Sequence, residues 1–82
     1  MTTAVVVPEL GAESEIVTIS SWLVTTGESV ETGDRLVELL VRGVTFDVPS
    51  PEVGALAVIE APVGSRVKTG DILGWITTEN DD

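Results

Sequence analysis

The chain has 82 residues, of which 43% are hydrophobic, and this is enough for one small domain with a single modest core. Acidic residues number 14 against four basic ones, and the resulting net charge of −10 would repel nucleic acid and anionic membranes, so we expect neither as a partner. The sequence lacks cysteine, histidine and tyrosine, which excludes disulfides, Ser-His-Asp and Cys-His catalysis, and thiolate or imidazole metal sites. We therefore expect no catalytic and no metal-binding residue.

Two further features concern location and assembly. No apolar run approaches the ~20 residues that span a bilayer, and the N-terminal stretch MTTAVVVPEL lacks the basic start of a signal peptide. We therefore predict a cytoplasmic domain. We also expect the isolated domain to be a monomer.

The apolar residues alternate or form short runs between glycines, and no stretch keeps a helical period for three turns, so the pattern predicts strands throughout. Prolines fall at the strand ends, where a missing N–H costs little. The predicted strands, in chain order, are Ala4 to Val7, Ile16 to Trp22, a short one near Val30, Arg35 to Val41, Val44 to Val48, Ala55 to Ala61, a short one near Val67, and Ile72 to Thr77. We predict one domain over residues 1–78, with 79–82 as a tail or the start of a linker.

The sequence contains an internal repeat, because TTGESVETGDRLVEL (25–39) lies over PVGSRVKTGDILGWI (62–76) at a constant offset of 37 residues. The shared turn has the form G-x-x-V-x-T-G-D-x-L, in which the valine should point inward. We expect Gly33 and Gly70 to supply a left-handed residue, and Asp34 and Asp71 to bond nearby backbone N–H groups. Two such halves can bury their apolar faces only against each other, which predicts two small antiparallel sheets related by an approximate two-fold axis, packed as a flattened barrel or sandwich.

The repeat also locates the hairpin within ELLVRGVTFDVPSP (38–51). Its tip, Arg42–Gly43, maps onto residues 79 and 80, so one half presents a turn where the other half ends. We expect the hairpin and the chain ends to lie at opposite ends of the molecule, and an X-Gly pair at a hairpin tip favours a tight turn.

The segments PELG, WLVTTGESVETGD, DVPSP, GAL and VGSRVKTGDIL, in this order and spacing, resemble the lipoyl domains of acyltransferase components of 2-oxo acid dehydrogenase complexes. The resemblance covers nearly the whole chain, from about Ala4 to Thr77. It implies the barrel-sandwich hybrid fold shared with biotin carrier domains. It also implies a non-enzymatic carrier, in which a ligase acylates one lysine at the hairpin tip, about six residues before the V-P-S-P motif.

Aligned on that motif, the family's lysine position falls on Gly43, flanked by Arg42 and Val44. Glycine has no side chain to acylate, and the guanidinium of arginine is too weak a nucleophile to replace an amine. We therefore expect no cofactor on this chain, although the resemblance implies lipoate for the family. Both tip residues differ from the family pattern, which favours a natural difference over a single deliberate substitution.

Two functions remain open on the sequence. The chain is either a structural or protein-docking module that keeps the fold without the attached arm, or a genuine lipoate or biotin carrier whose attachment site is misaligned or altered. Lys68, the single lysine, lies in the second repeated turn and is a poor substitute. For a docking module we expect a protein partner, such as a 2-oxo acid dehydrogenase-type component, and the predicted contact residues are Glu9, Glu13, Glu15 and Arg42.

Overall fold

The computed structural model describes residues 1–11 and 16–78, and within them it contains eight strands and no helix. The strands are β1 (Thr2–Val6), β2 (Val17–Trp22), β3 (Ser29–Val30), β4 (Arg35–Val41), β5 (Val44–Pro49), β6 (Gly54–Ile59), β7 (Arg66–Val67) and β8 (Ile72–Thr77).

The strands form two four-stranded antiparallel sheets. Sheet A has the order β1-β8-β6-β3, and sheet B has the order β5-β4-β2-β7. Each sheet takes two strands from the first half of the chain and two from the second half. The predicted all-β fold of two small antiparallel sheets is confirmed, and no helix of the described residues is long and apolar enough to cross a membrane.

The sequence pattern predicted all eight strands. The bounds of β4 and β8 are as predicted, those of β1, β2, β5 and β6 differ by one or two residues at their ends, and β3 and β7 lie where short strands were expected. One difference has a clear cause: we expected β6 to continue to Ala61, but it ends at Ile59. The N–H groups of Glu60 and Ala61 both donate to the carbonyl of Leu73, at 2.9 and 3.1 Å, so the regular ladder stops there.

Equivalent residues pair in the same register within each of the two sheets, which confirms the predicted two-fold relation. Residues of β2, β3 and β4 correspond to those of β6, β7 and β8 at the offset of 37, while β1 corresponds to β5 at an offset of 43. The offsets differ because the segment between β1 and β2 has six more residues than the segment between β5 and β6. Even the bulges correspond, since the shift between Ile19 and Ser21 recurs between Leu56 and Val58.

The repeated turns are built as their sequence predicts. Gly33 and Gly70 have φ values of 94° and 90°, the left-handed region that glycine enters without steric cost. The Asp34 carboxylate accepts a hydrogen bond from the N–H of Glu31, and Asp71 accepts one from the N–H of Lys68, each at 2.9 Å. These bonds hold the chain in the turn immediately before β4 and β8.

The core lies between the sheets and consists of aliphatic residues from both halves of the chain. Its buried members are Val5, Val7, Val17, Ile19, Val30, Leu36, Val37, Leu39, Val41, Val48, Leu56, Ala61, Leu73 and Ile76. Leu36 and Leu73 are equivalent by the repeat and are both fully buried. Neither sheet can bury its inner face without the other.

Leu36→Ala and Leu73→Ala should lower the free energy of unfolding by similar amounts, about 3 kcal/mol each, because each removes three buried carbons from a closely packed site. Chemical denaturation followed by circular dichroism measures the loss. Leu40→Ala is the control, since Leu40 also lies on β4 but is 37% exposed, and we expect a loss below about 1 kcal/mol. Equal losses at Leu36 and Leu40 would contradict this assignment of the core.

Candidate functional site

The hairpin that joins β4 to β5 is the candidate site, and its tip is a two-residue turn. Val41 and Val44 are the last paired residues of the two strands, so Arg42 and Gly43 alone form the connection. Their φ values are 54° and 80°. Positive φ at both central positions is the geometry of a type I′ turn, which matches the twist of the flanking strands. The predicted tight turn is confirmed.

Arg42 is the one non-glycine residue with positive φ among residues 1–11 and 16–78. An L-amino acid in this region places its Cβ close to the following carbonyl, at a cost of roughly 1–2 kcal/mol. Glycine at position 43 avoids that cost at the second position of the turn. The tip therefore combines one strained cationic residue with one residue that has no side chain.

The surface around the turn is partly apolar. Val44 is 54% exposed, and Leu40, which pairs with Thr45 across the hairpin, is also exposed. Sequence reasoning named Arg42 and Val44 but missed Leu40. The signal was available, because Leu39 and Leu40 are adjacent on a strand and only one of them can face the core. The tip can thus offer a cation and two aliphatic side chains, and it holds no amine, thiol or carboxylate nucleophile on the turn itself.

The predicted contact residues lie in different parts of the chain. Glu9 is exposed in the segment after β1, and Arg42 is exposed at the tip. Glu13 and Glu15 lie outside the described residues, so the predicted contact surface formed by these four residues stays a prediction.

Lys68, the single lysine, is exposed in the turn between β7 and β8. Its N–H bonds to the Asp71 carboxylate at 2.9 Å, and its carbonyl accepts the N–H of Asp71 at the same distance. The lysine therefore belongs to a compact turn that the two-fold relates to residues 31–34, and not to the β4–β5 hairpin. Over residues 1–11 and 16–78, no three acidic side chains come close enough together to hold a metal ion.

The family model described as "Biotin-requiring enzyme", for the biotin/lipoyl attachment family, matches residues 3–76. The chain belongs to this family. The match extends from the second residue of β1 to the penultimate residue of β8, so the whole two-sheet unit is a biotin/lipoyl-type domain.

Similar proteins are acyltransferase components of 2-oxo acid dehydrogenase complexes. The chain is 40% identical to the dihydrolipoyllysine-residue succinyltransferase component of the 2-oxoglutarate dehydrogenase complex of Bartonella vinsonii, over 93% of this chain and 18% of the relative. It is 33% identical to the dihydrolipoyllysine-residue acetyltransferase component of the pyruvate dehydrogenase complex of Corynebacterium glutamicum, over 93% of this chain and 11% of the relative. The lipoyl-type domain thus spans less than a fifth of the length of these relatives.

Gly43→Ala should lower the free energy of unfolding by about 1 kcal/mol, because a Cβ at positive φ is strained although it would meet no atom within 4 Å. Denaturant unfolding measures the change. Arg42→Asn is the matched control at the neighbouring position, and we expect it to leave stability equal or slightly raised, since asparagine tolerates the left-handed region. A Gly43→Ala variant with the same free energy of unfolding as the parent chain would argue against the type I′ geometry.

Proposed function

We propose that this lipoyl-type domain carries no lipoyl or biotinyl group and serves as a structural or protein-docking module of a multienzyme assembly. The supporting observation is the tip of the β4–β5 hairpin, where the chain turns through Arg42 and Gly43. The resemblance implies that the family's attachment lysine would stand at the position that Gly43 occupies. Neither tip residue of this chain has a side-chain amine.

The chemistry of attachment needs a primary amine, because only an amine forms the amide that holds the arm. Glycine offers no side-chain atom, and the positive charge of a guanidinium is delocalised over three nitrogens, which leaves it a poor nucleophile. The residues at the tip therefore do not fit lipoate or biotin, and no transfer step can be derived through such a group on this chain.

Lys68 does not replace the missing amine at the hairpin. It is exposed, but it sits in the β7–β8 turn, where the backbone on both sides is fixed by the bonds to Asp71. An attached arm at that place would project from a different connection than the β4–β5 tip. We therefore propose no cofactor, no metal and no catalytic residue for this domain.

The relatives suggest the kind of assembly. Those compared above are components of 2-oxoglutarate and pyruvate dehydrogenase complexes, and we propose a protein partner of this type, contacted by Arg42 at the tip and by Glu9, Glu13 and Glu15 after β1. We also propose that the domain is a monomer when isolated and that it is located in the cytoplasm. The alternative is a genuine lipoate or biotin carrier domain whose attachment site is misaligned here or altered.

Co-expression with a lipoate ligase in the presence of lipoate should leave the chain unmodified, because the ligase finds no amine at the tip. Intact-mass measurement checks this result. Lys68→Arg is the matched variant, since it removes the single side-chain amine and keeps the charge. An adduct on the parent chain that disappears in Lys68→Arg would establish the carrier alternative.

The double substitution Arg42→Asp and Gly43→Lys should make the domain a substrate for the ligase, because it places an exposed amine at the tip of an otherwise complete lipoyl-type fold. The cost of lysine at φ 80° should be roughly 1–2 kcal/mol, so folding is verified first by circular dichroism. Thr45→Lys is the control, with an amine on the same hairpin but off the turn, and we expect no adduct. A folded double variant that stays unmodified would show that the attachment position is misplaced.

A further inference from the structure

The outer face of sheet A carries a continuous apolar patch that the proposed function does not use. Val6 pairs with Ile72, Ala4 pairs with Trp75, and Val58 pairs with Trp75 from the other side, so these side chains share one face across β1, β8 and β6. Val6, Ile72 and Val58 are 42%, 41% and 44% exposed. We call this set of five residues the Trp75 patch.

Trp75 has a defined position in the patch. Its indole N–H donates to the Glu60 carboxylate at 3.1 Å, so the ring is held by a hydrogen bond at its polar end. Trp22, the other tryptophan, instead packs against the core and donates to the carbonyl of Ala61 at 2.8 Å. The two tryptophans therefore differ in role, since Trp22 packs against the core and Trp75 lies on the outer face of sheet A.

The two-fold relation provides an internal comparison, because sheet B has the same positions with a different chemistry. The equivalents of Val6, Ile72, Ala4, Trp75 and Val58 are Pro49, Arg35, Asp47, Glu38 and Ser21, which pair in the same register. On sheet B, Arg35 and Asp47 form an ion pair at 3.1 Å, and Glu38 accepts a hydrogen bond from Ser20. One face is therefore polar and internally paired, while the equivalent face is apolar. The fold itself does not require the outer face to be apolar.

Acidic side chains predominate around sheet A, with Lys68 in the turn before β8 as the neighbouring cation. Its four described strands contain no charged residue, whereas the strands of sheet B contain Arg35, Glu38, Asp47 and Arg66. Among the described residues, the charged side chains within two positions of a strand end of sheet A are all acidic: Glu28, Glu31, Glu52, Glu60 and Asp71. An open groove of about 710 Å³ at the β3 side is lined partly by Glu31, Asp34 and Glu52. An apolar face bordered in this way complements apolar side chains flanked by lysine or arginine.

Strand β1 borders the patch. Strand β1 pairs with β8 on one side and is the edge of sheet A. Its positions 2, 4 and 6 hold no charge and no proline, whereas the equivalent positions of the β5 edge include Asp47 and Pro49, which discourage strand pairing. A segment extended along β1 would place alternate side chains on the outer face beside Ala4 and Val6.

We infer that the Trp75 patch is a docking surface for an extended segment of a partner protein, with apolar residues at alternate positions and lysine or arginine at its ends. A second copy of this chain is the less suitable occupant, because two copies would bring their acidic strand ends together and each has a net charge of −10. Like charges would then repel across the contact. The inference rests on the proposed docking role and gives it a surface and a partner class. Its test does not involve acylation, so either can fail alone.

The capped peptide KKVTVTVKK is the probe, and EEVTVTVEE, with the same apolar residues and opposite charge, is its control. We expect the lysine peptide to shift the backbone amide signals of β1, β6 and β8 and the indole N–H signal of Trp75, with that of Trp22 unchanged. The glutamate peptide should bind at least about tenfold more weakly because like charges repel across the contact.

Val58→Lys and Ser21→Lys form a matched pair, since they add the same residue at equivalent positions of the two sheets. We expect Val58→Lys to weaken the binding of the lysine peptide about tenfold or more, and Ser21→Lys to change it less than about threefold. Equal effects of the two variants, shifts on sheet B, equal binding of both peptides, or no binding at millimolar peptide would each overturn the inference. So would a dimer in sedimentation velocity that Val58→Lys dissociates, because the occupant would then be a second copy.

Discussion

The structure depends on the exchange of strands between the two halves of the chain. Sheet A takes β1 and β3 from the first half and β6 and β8 from the second, and sheet B takes the remaining four. Neither half can complete a sheet or cover an apolar face alone, so the core forms only when both halves are in place. This mutual burial is the dominant favourable contribution to folding in a chain of this size. It also fixes the register that the two sheets share.

A two-fold scaffold provides two copies of every position, and sequence differences can then assign different roles to them. The connection between β4 and β5 is a tight turn, whereas its equivalent is the pair of chain segments at Met1 and Thr78, joined by a bond from the N–H of Thr78 to the carbonyl of Met1 at 2.9 Å. The outer faces differ in the same way, with an ion pair on sheet B and the Trp75 patch on sheet A. Such differences within one molecule separate what the fold requires from what it merely permits.

Much of the fold was predictable because short antiparallel strands leave a strong local signal. Alternation of apolar residues, glycines at turns and the T-G-D repeat located the eight strands and the turns at Gly33 and Gly70. The end of β6 was not predictable, because it depends on the carbonyl of Leu73 accepting two N–H groups from a distant strand. Nor was the full extent of the repeat, since the extra residues before β2 change the offset of β1 and conceal its relation to β5.

The sequence by itself determined the family resemblance, the position of the hairpin tip and the lack of an amine there, because each depends on residue identity and spacing along one local segment. Only the tertiary structure decided which face of each strand points outward, because bulges in β6 and β8 shift the alternation and only the pairing partners reveal it. The Trp75 patch is therefore a property of the assembled sheet: Ala4, Val58 and Trp75 are far apart in sequence and become neighbours only when β1, β6 and β8 pair.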